Sequence, residues 1–364
     1  MPSSASLFTE LLRTGQIDIR AGGLFSRQPA LLPPNFDFGR VEGMCLGLAI
    51  GDALGNTSEG MSPGARRRIH GEIRDYLPHP QFGDRRGYPS DDTQLAFWTL
   101  EQILEDGRFI PGNVADRFCR GRIFGIGTTL RQFIENHLSG KPWQAAGVKS
   151  AGNGALMRIA TTLAPHVRRP TAELWADAAL GAMLTHNDSS SIASCLAFVY
   201  MLWELLRAEA VPAPTWWLET FVAIARGLEI DECYASRSPH FTDFQGPLWR
   251  FVEREVASAY EDGLSVVEAC DRWYSGAYLL ETVPSVLYIL MRHGHDPQEA
   301  IVRAATDTFD NDTIAAIVGA AVGALHGRAA LPKRWIENLS GRTRSDDDGR
   351  IFELLQAARN TWGT

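Results

Sequence analysis

Gly43-Met44-Cys45-Leu46-Gly47-Leu48-Ala49-Ile50-Gly51-Asp52-Ala53-Leu54-Gly55 repeats a glycine at every fourth position of an otherwise apolar run. On a helix this spacing gathers Gly43, Gly47, Gly51 and Gly55 on one flat face without side chains, along which another helix can approach closely. A glycine inside a helix costs about 1 kcal/mol relative to alanine, so four in register point to a steric requirement. Gly319, Gly323 and Gly327 repeat the spacing further on. Tight helix packing is the plain reading of both segments.

Working outward, residues 95–104, 192–206, 216–228 and 351–358 are apolar at helical spacing, and alternating β-branched runs are few. The pattern predicts an all-α fold from about Arg40 onward. Gly- and Pro-rich breaks at 60–64, 78–89 and 238–247 read as long loops, none of them a linker between two complete cores. One domain over 40–364 is therefore expected. Residues 1–39 differ: a short amphipathic piece (Leu7, Phe8, Leu11, Leu12) runs into Gly- and Pro-rich sequence ending at Pro33-Pro34, which reads as an N-terminal extension.

Composition narrows the function classes. The 364 residues are 45% apolar, enough to fill a large core, and the net charge is −8. That balance argues against nucleic acid as an extended ligand, since phosphate contacts need clustered Lys and Arg. The run Arg66-Arg67-Arg68 reads as a solvated loop. Five scattered cysteines form no C-x-x-C pair, which fits neither common zinc spacings nor a disulfide framework and points to a reducing compartment. The first 20 residues lack a basic and apolar leader pattern, and the small-apolar stretch 315–325 is too short to span a bilayer. A cytoplasmic protein without a membrane partner is expected.

The chemistry concentrates at two helix starts. Ser90-Asp91-Asp92-Thr93 precedes one apolar helix and Asp310-Asn311-Asp312-Thr313 another. Either alone reads as a helix cap with acids at the positive end of the dipole. Together they offer more than caps need: each has two carboxylates and a hydroxyl. Were both N-termini to face each other, four carboxylates would converge, which is costly unless cations neutralise them. Oxygen-only ligands suit Mg²⁺ or Mn²⁺ rather than zinc, and paired Asp residues suit two ions about 3.5–4 Å apart. Asp52 and Glu59 follow the first glycine face, and each taken alone reads as an ordinary helix or surface polar residue.

Two small-residue turns complete the pattern. Ser150-Ala151-Gly152-Asn153-Gly154 runs into an apolar helix and makes a good diphosphate seat, although it is neither a P-loop nor a Rossmann fingerprint. Gly125-Ile126-Gly127-Thr128-Thr129 has a weaker claim of the same kind. Thr185-His186-Asn187-Asp188 precedes a long helix, where a single His is more often a local hydrogen-bonder than a ligand.

In order along residues 40–330, Gly51-Asp52-Ala53-Leu54-Gly55 with Glu59, Ser90-Asp91-Asp92-Thr93-Gln94, Gly152-Asn153-Gly154-Ala155-Leu156-Met157-Arg158, Thr185-His186 and Asp310-Asn311-Asp312-Thr313-Ile314-Ala315-Ala316 resemble the ADP-ribosylglycohydrolase (DraG-type) family. The resemblance implies a compact all-α domain with a central cleft holding two Mg²⁺ or Mn²⁺ ions. It implies Ser90, Asp91, Asp92, Asp310, Asp312 and Thr313 as metal ligands, with Glu59 beside the scissile bond. It further implies Gly127, Ser150, Gly152, Asn153, Gly154 and His186 as substrate-binding positions. The implied reaction is hydrolysis of mono-ADP-ribose from a modified protein side chain, Arg before Ser, with Asp92 or Glu59 taking the proton of the attacking water. Two positions depart from the family pattern: Thr308-Phe309 replaces a Gly-Gly pair, which is expected to alter the cleft wall, and Gly125 stands where arginine-type members carry an acid.

Members of the family also act as immunity proteins against ADP-ribosyltransferase toxins, and residues 1–39 would suit contact with such a partner through Leu24, Phe25, Leu31 and Leu32. The competing reading is a non-catalytic binding or structural protein of the same fold that blocks a partner through this arm. Intact Asp pairs favour the enzyme.

Overall fold

The computed structural model describes residues 2–363, leaving Met1 and Thr364 outside the description. The first half contains α1 (Ser4–Arg13), α2 (Gly39–Asn56), α3 (Pro63–His70), α4 (Asp91–Asp106), α5 (Pro111–Phe118), α6 (Thr128–Leu138), α7 (Trp143–Ala146) and α8 (Glu173–Met183). The second half continues with α9 (Ser189–Arg207), α10 (Pro214–Leu228), α11 (Leu248–Glu261), α12 (Val266–Trp273), α13 (Leu279–His293) and α14 (Pro297–Asp307). It closes with α15 (Asn311–His326), α16 (Lys333–Glu337) and α17 (Arg350–Trp362). Among the described residues the only strands are Tyr234–Ala235 and Gln245–Gly246, a two-residue antiparallel pair. The fold is all-α, as the periodicity predicts.

The two glycine runs pack on each other. A Cβ on Gly47 would lie 2.0 Å from the Gly319 carbonyl oxygen, and a Cβ on Gly319 would lie 2.0 Å from that of Gly47. Gly43 meets Gly323 in the same way, Gly51 meets the Ala315 carbonyl, and Gly55 meets Asp312. Ascending positions on α2 meet descending positions on α15, so the helices run antiparallel with their backbones in contact. Both are buried on every side, the mark of core helices rather than of surface helices with one apolar stripe. This pairing sets the C-terminal end of α2, with Asp52, against the N-terminal end of α15, with Asp312. Helices α9, α13 and α14 pack around α15. Although α9 is long and apolar enough to cross a membrane by length and composition, nearly all of it lies inside the fold.

The amphipathic start forms α1, which packs on α8 with Phe8 and Leu11 buried. The rest of the extension is tied down by backbone groups. The Arg20 amide donates to the Leu228 carbonyl, and the indoles of Trp175 and Trp203 donate to the carbonyls of Arg27 and Ala30. Of the four apolar residues expected as anchors for a partner, Leu24 is buried in this chain's core, Phe25 stacks on Phe8 at 4.0 Å and Leu32 is half-buried. Leu31 alone stands out, 76% exposed.

One local expectation needs correction. Arg66-Arg67-Arg68 is not a solvated loop but part of α3, started by Ser62 as N-cap and Pro63 at the first turn, and Arg66 is wholly buried. The apolar helix expected after the Ser150–Gly154 turn is present at Leu156–His166, and it is of the 3-10 type. Its β-branched Ile159, Thr161 and Thr162 fit an α-helix poorly, and the Thr162 hydroxyl bonds back to the Ile159 carbonyl at 2.7 Å.

Candidate active site

The start of α4 is capped from a distance. Asp52, fully buried on α2, accepts the backbone amides of Ser90 and Thr93 at 2.9–3.0 Å, and the Thr93 hydroxyl at 2.5 Å. Those amides are among the N–H groups that a helix start leaves unpaired. With Asp52 serving them, Asp91 and Asp92 are released from capping. Ser90 turns its hydroxyl to Asp92 Oδ2 at 3.1 Å and does not reach the cleft surface.

Asp310 occupies the N-cap position of α15 yet makes no side-chain cap bond. Its Oδ2 instead accepts from Asn153 Nδ2 at 2.6 Å, which ties the Gly152–Gly154 turn to this helix start. Asn311 points the other way, donating to the carbonyls of Gly55 and Ala305 and to the Ser58 hydroxyl. Behind them Tyr274 and Ser275 both adopt positive φ, 79° and 49°, a strained conformation for residues with side chains. Ser275 holds the entry to α15: its carbonyl accepts the Asp310 amide and its hydroxyl accepts that of Phe309.

Both helix starts open on one cleft of about 560 Å³, whose lining includes Glu59, Asp91, Asp92, Asp310, Asp312 and Thr313. Carboxylate oxygens of Asp52, Asp92 and Asp312 lie within 4.8 Å of one another, and so do those of Glu59, Asp310 and Asp312. The two groups share Asp312. Burial first, then the neighbouring carboxylates, hold Asp91, Asp92 and Asp312 well above the usual range. Asp52 and Asp310 are also raised by burial, against hydrogen bonds that favour their charged forms. Asp92 Oδ1 is buried without a hydrogen-bond partner. Such crowding of buried acceptors fits a hard cation, which would neutralise the charge and occupy the orphaned oxygen.

Glu59 sits in the turn after α2, exposed at the rim, and its carboxylate has no hydrogen-bond partner among the described residues. Loss of water on its inward side, then the charges of Asp310 and Asp52, raise its pKa. Arg66 holds this turn. It donates to the Ser58 hydroxyl and carbonyl and to the Met61 carbonyl, and on its other side to the carbonyls of Thr306 and Thr308. One buried guanidinium thus joins the Glu59 turn to the segment entering the second Asp motif. The Thr308-Phe309 pair does not form the cleft wall: Thr308 is buried against Arg66, and Phe309 packs on Tyr274 with centroids 4.8 Å apart.

The same cleft is also lined by Gly125, Gly127, Thr128, Thr129, Ser150, Gly152, Asn153, Gly154 and His186. Thr129 and Ser150 hydroxyls meet at 3.0 Å, joining the start of α6 to the Ser150 turn. A Cβ on Gly154 would fall 2.9 Å from the His186 ring, so glycine is what lets that ring lie against the turn. Gly125 has φ +68°, and a Cβ there would stand 3.2 Å from Asp91. Every expected site residue except Ser90 therefore lines one cleft. Sequence reading did not single out Arg237 and Tyr278, which line the same cleft with the guanidinium 4.2 Å above the ring, nor Arg66. Asp52 was read as an ordinary helix polar residue.

An all-helical body in which one cleft gathers carboxylates and small-residue turns fits a metal-dependent hydrolase of an anionic substrate, and comparison with known proteins gives the class. The ADP-ribosylglycohydrolase sequence model matches residues 33–362. The chain is 32% identical to an uncharacterised protein of Archaeoglobus fulgidus, over 85% of this chain and 94% of that one. It is 27% identical to the ADP-ribosylarginine hydrolase Tri1 of Serratia proteamaculans, over 87% and 79% of the respective chains. A solved structure described as an ADP-ribosylglycohydrolase-related protein complex superposes with a TM-score of 0.64 at 26% identity, covering 88% of this chain and 97% of its own. The chain belongs to the ADP-ribosylglycohydrolase family.

Proposed function

We propose that this chain releases mono-ADP-ribose from modified protein side chains, arginine in preference to serine, using two divalent ions, Mg²⁺ or Mn²⁺. The carrying observation is that Asp91, Asp92 and Asp310 are not spent as helix caps and, together with Asp312, whose Oδ1 accepts only the adjacent Thr313 amide, converge on one cleft that also holds a glycine-rich turn suited to an anion. The name of the Serratia relative supports arginine as the first linkage to test.

Asp92, Asp312 and Asp310, with Asp91 and Thr313 beside them, would hold the ions, while Asp52 is mainly engaged in holding the start of α4. Ions held there would supply positive charge that makes a nearby water more acidic. The backbone at Ser150–Gly154 and the start of α6 would bind the diphosphate and fix the ribose with C1″ toward the carboxylates. Glu59 is the better placed base of the two candidates: it lines the open cleft at its rim and its carboxylate makes no hydrogen bond among the described residues, whereas Asp92 accepts from Ser90 and Thr313. It takes a proton from water as the water oxygen bonds to C1″ and the bond from C1″ to the side-chain nitrogen or oxygen breaks. The proton that Glu59 took passes to the leaving atom, so the water's OH ends on C1″ and its other hydrogen on the released side chain.

The complete carboxylate set favours hydrolysis over purely structural use of the fold. A role in immunity to an ADP-ribosyltransferase toxin is proposed as well, and such a toxin would meet residues 1–39 as a folded surface, because most of the arm's apolar residues, Leu31 excepted, pack on the chain's own core. A cytoplasmic location is proposed, and the unpaired cysteines fit it. The test is release of ADP-ribose from peptides modified on Arg and on Ser, with Mg²⁺ and with Mn²⁺. A higher kcat/KM on the Arg peptide is expected, and turnover of the Ser peptide alone would overturn the linkage order.

A further inference from the structure

Arg158 is a buried cation that no ion pair explains. It is 1% exposed, and no carboxylate among the described residues forms a salt bridge with it. Its guanidinium lies 5.0 Å above the Phe118 ring, and Nη2 donates to the Gly181 carbonyl at 2.9 Å and to the Thr185 hydroxyl at 2.8 Å. Burying an arginine in this way is costly, so its position calls for a function.

The hydrogen-bond directions supply one. A guanidinium has donors only, so Thr185 Oγ1 is the acceptor in its bond with Arg158. The hydroxyl keeps one proton to donate, and the acceptor beside it is His186 Nδ1 at 2.8 Å. The oxygen has a second lone pair that an Nδ1–H could use, but the hydroxyl proton would then have no acceptor among the described residues. The arrangement that satisfies every group has Nδ1 accepting. Burial, and then the charge of Arg158, depress the His186 pKa to about 3, so the ring is neutral at ordinary pH. A neutral imidazole whose Nδ1 accepts carries its proton on Nε2. That nitrogen faces the glycine turn, 3.4 Å and 3.2 Å from where Cβ atoms on Gly152 and Gly154 would stand, and has no protein partner among the described residues.

We propose that Arg158, acting through the Thr185 hydroxyl, holds His186 in the tautomer that presents Nε2–H to the diphosphate, making Arg158 and Thr185 positioning residues for substrate. The opposite tautomer would turn a lone pair toward a phosphate oxygen and repel it. Arg158 also leaves an uncancelled positive charge behind the seat, which favours an anion there. The inference rests on the reading of this cleft as the ADP-ribose site.

The test joins spectroscopy with binding. ¹⁵N spectra of the His186 ring in the unaltered protein are expected to show Nε2 protonated and Nδ1 accepting. Thr185→Val keeps the side-chain shape but removes the hydroxyl. It is expected to weaken ADP-ribose binding in calorimetry about tenfold and to raise KM similarly, with kcat within about twofold, as loss of a hydrogen bond to a charged group would do. Thr185→Ser should restore all three. A ring protonated on Nδ1 in the unaltered protein would overturn the proposal without any variant. So would Thr185→Val binding ADP-ribose within about twofold of the unaltered protein. If the unaltered protein does not bind ADP-ribose at all, the functional reading itself fails and this inference fails with it.

Discussion

Replacing Gly47 with alanine puts the central helix pair to a test of sign. The new Cβ would stand 2.0 Å from the Gly319 carbonyl oxygen, whereas ordinary contact begins at 3.4 Å, so α2 and α15 would have to part by about 1.4 Å. Overpacking a core costs roughly 1–3 kcal/mol when side chains can yield. Here the neighbour is helix backbone, which places the cost near the top of that range, about 3 kcal/mol. Helix propensity returns about 1 kcal/mol. The expected net loss is about 2 kcal/mol. With an unfolding entropy of about 2.1 cal/mol/K per residue, that lowers Tm by roughly 3 °C in a chain of this length. Circular dichroism during heating reads it directly. Gly227→Ala is the matched control: it is a helical glycine with nothing within 4 Å of its added Cβ, and it should hold or raise Tm. A Gly47→Ala protein at least as stable as the unaltered one would refute the close-packed pair.

The other expectations concern the site and its supports. Gly51→Ala should lose activity as well as stability, because its Cβ meets the Ala315 carbonyl at 2.0 Å between Asp52 and Asp312; unchanged turnover would count against the alignment argument. Glu59→Gln should lose turnover while keeping ADP-ribose affinity in calorimetry, and parallel loss of both would make Glu59 a binding residue instead. Glu229 is buried, accepts the amides of Leu248 and Trp249, and is pushed by burial to about 7. A folded pKa above the unfolded value contributes stability at low pH that is lost as pH rises from about 4.5 through 7, here on the order of 3 kcal/mol. Denaturant titrations should therefore show the stability of the unaltered protein relative to Glu229→Gln falling between pH 5 and pH 8, and a flat difference would remove Glu229 as the cause. Deleting residues 2–32 should lower Tm markedly, because Phe8, Leu11, Ile17, Ile19 and Leu24 each bury a side chain of the kind that contributes about 1.5–3 kcal/mol; a truncated protein of unchanged Tm would detach the arm from the core.

What was legible in the sequence was local. The glycine spacing showed that α2 and α15 each need a close neighbour, and the Asp motifs stood where helix starts were expected, because both signals lie within a turn or two of chain. Asp52 was opaque because its partners, Ser90 and Thr93, lie about 40 residues away and only the fold brings them together. Arg66 was hidden by its neighbours: three consecutive arginines read as solvated, although on a helix only one of them has to face inward. Ser62-Pro63, an ordinary helix start, was the signal that could have exposed it. The arm shows the same limit. Its amphipathic start was visible, but the surface that receives it, α8, comes some 160 residues later.

The most direct test of the central claim is the release of ADP-ribose from an ADP-ribosylarginine peptide by the unaltered protein and by Asp92→Asn and Asp312→Asn, each with Mg²⁺ and again in EDTA. The account expects release by the unaltered protein with Mg²⁺, its loss in EDTA and recovery when Mg²⁺ is returned, and no measurable release by either variant under any condition, with both variants still helical by circular dichroism. Undiminished release in EDTA, or by the variants, would contradict it.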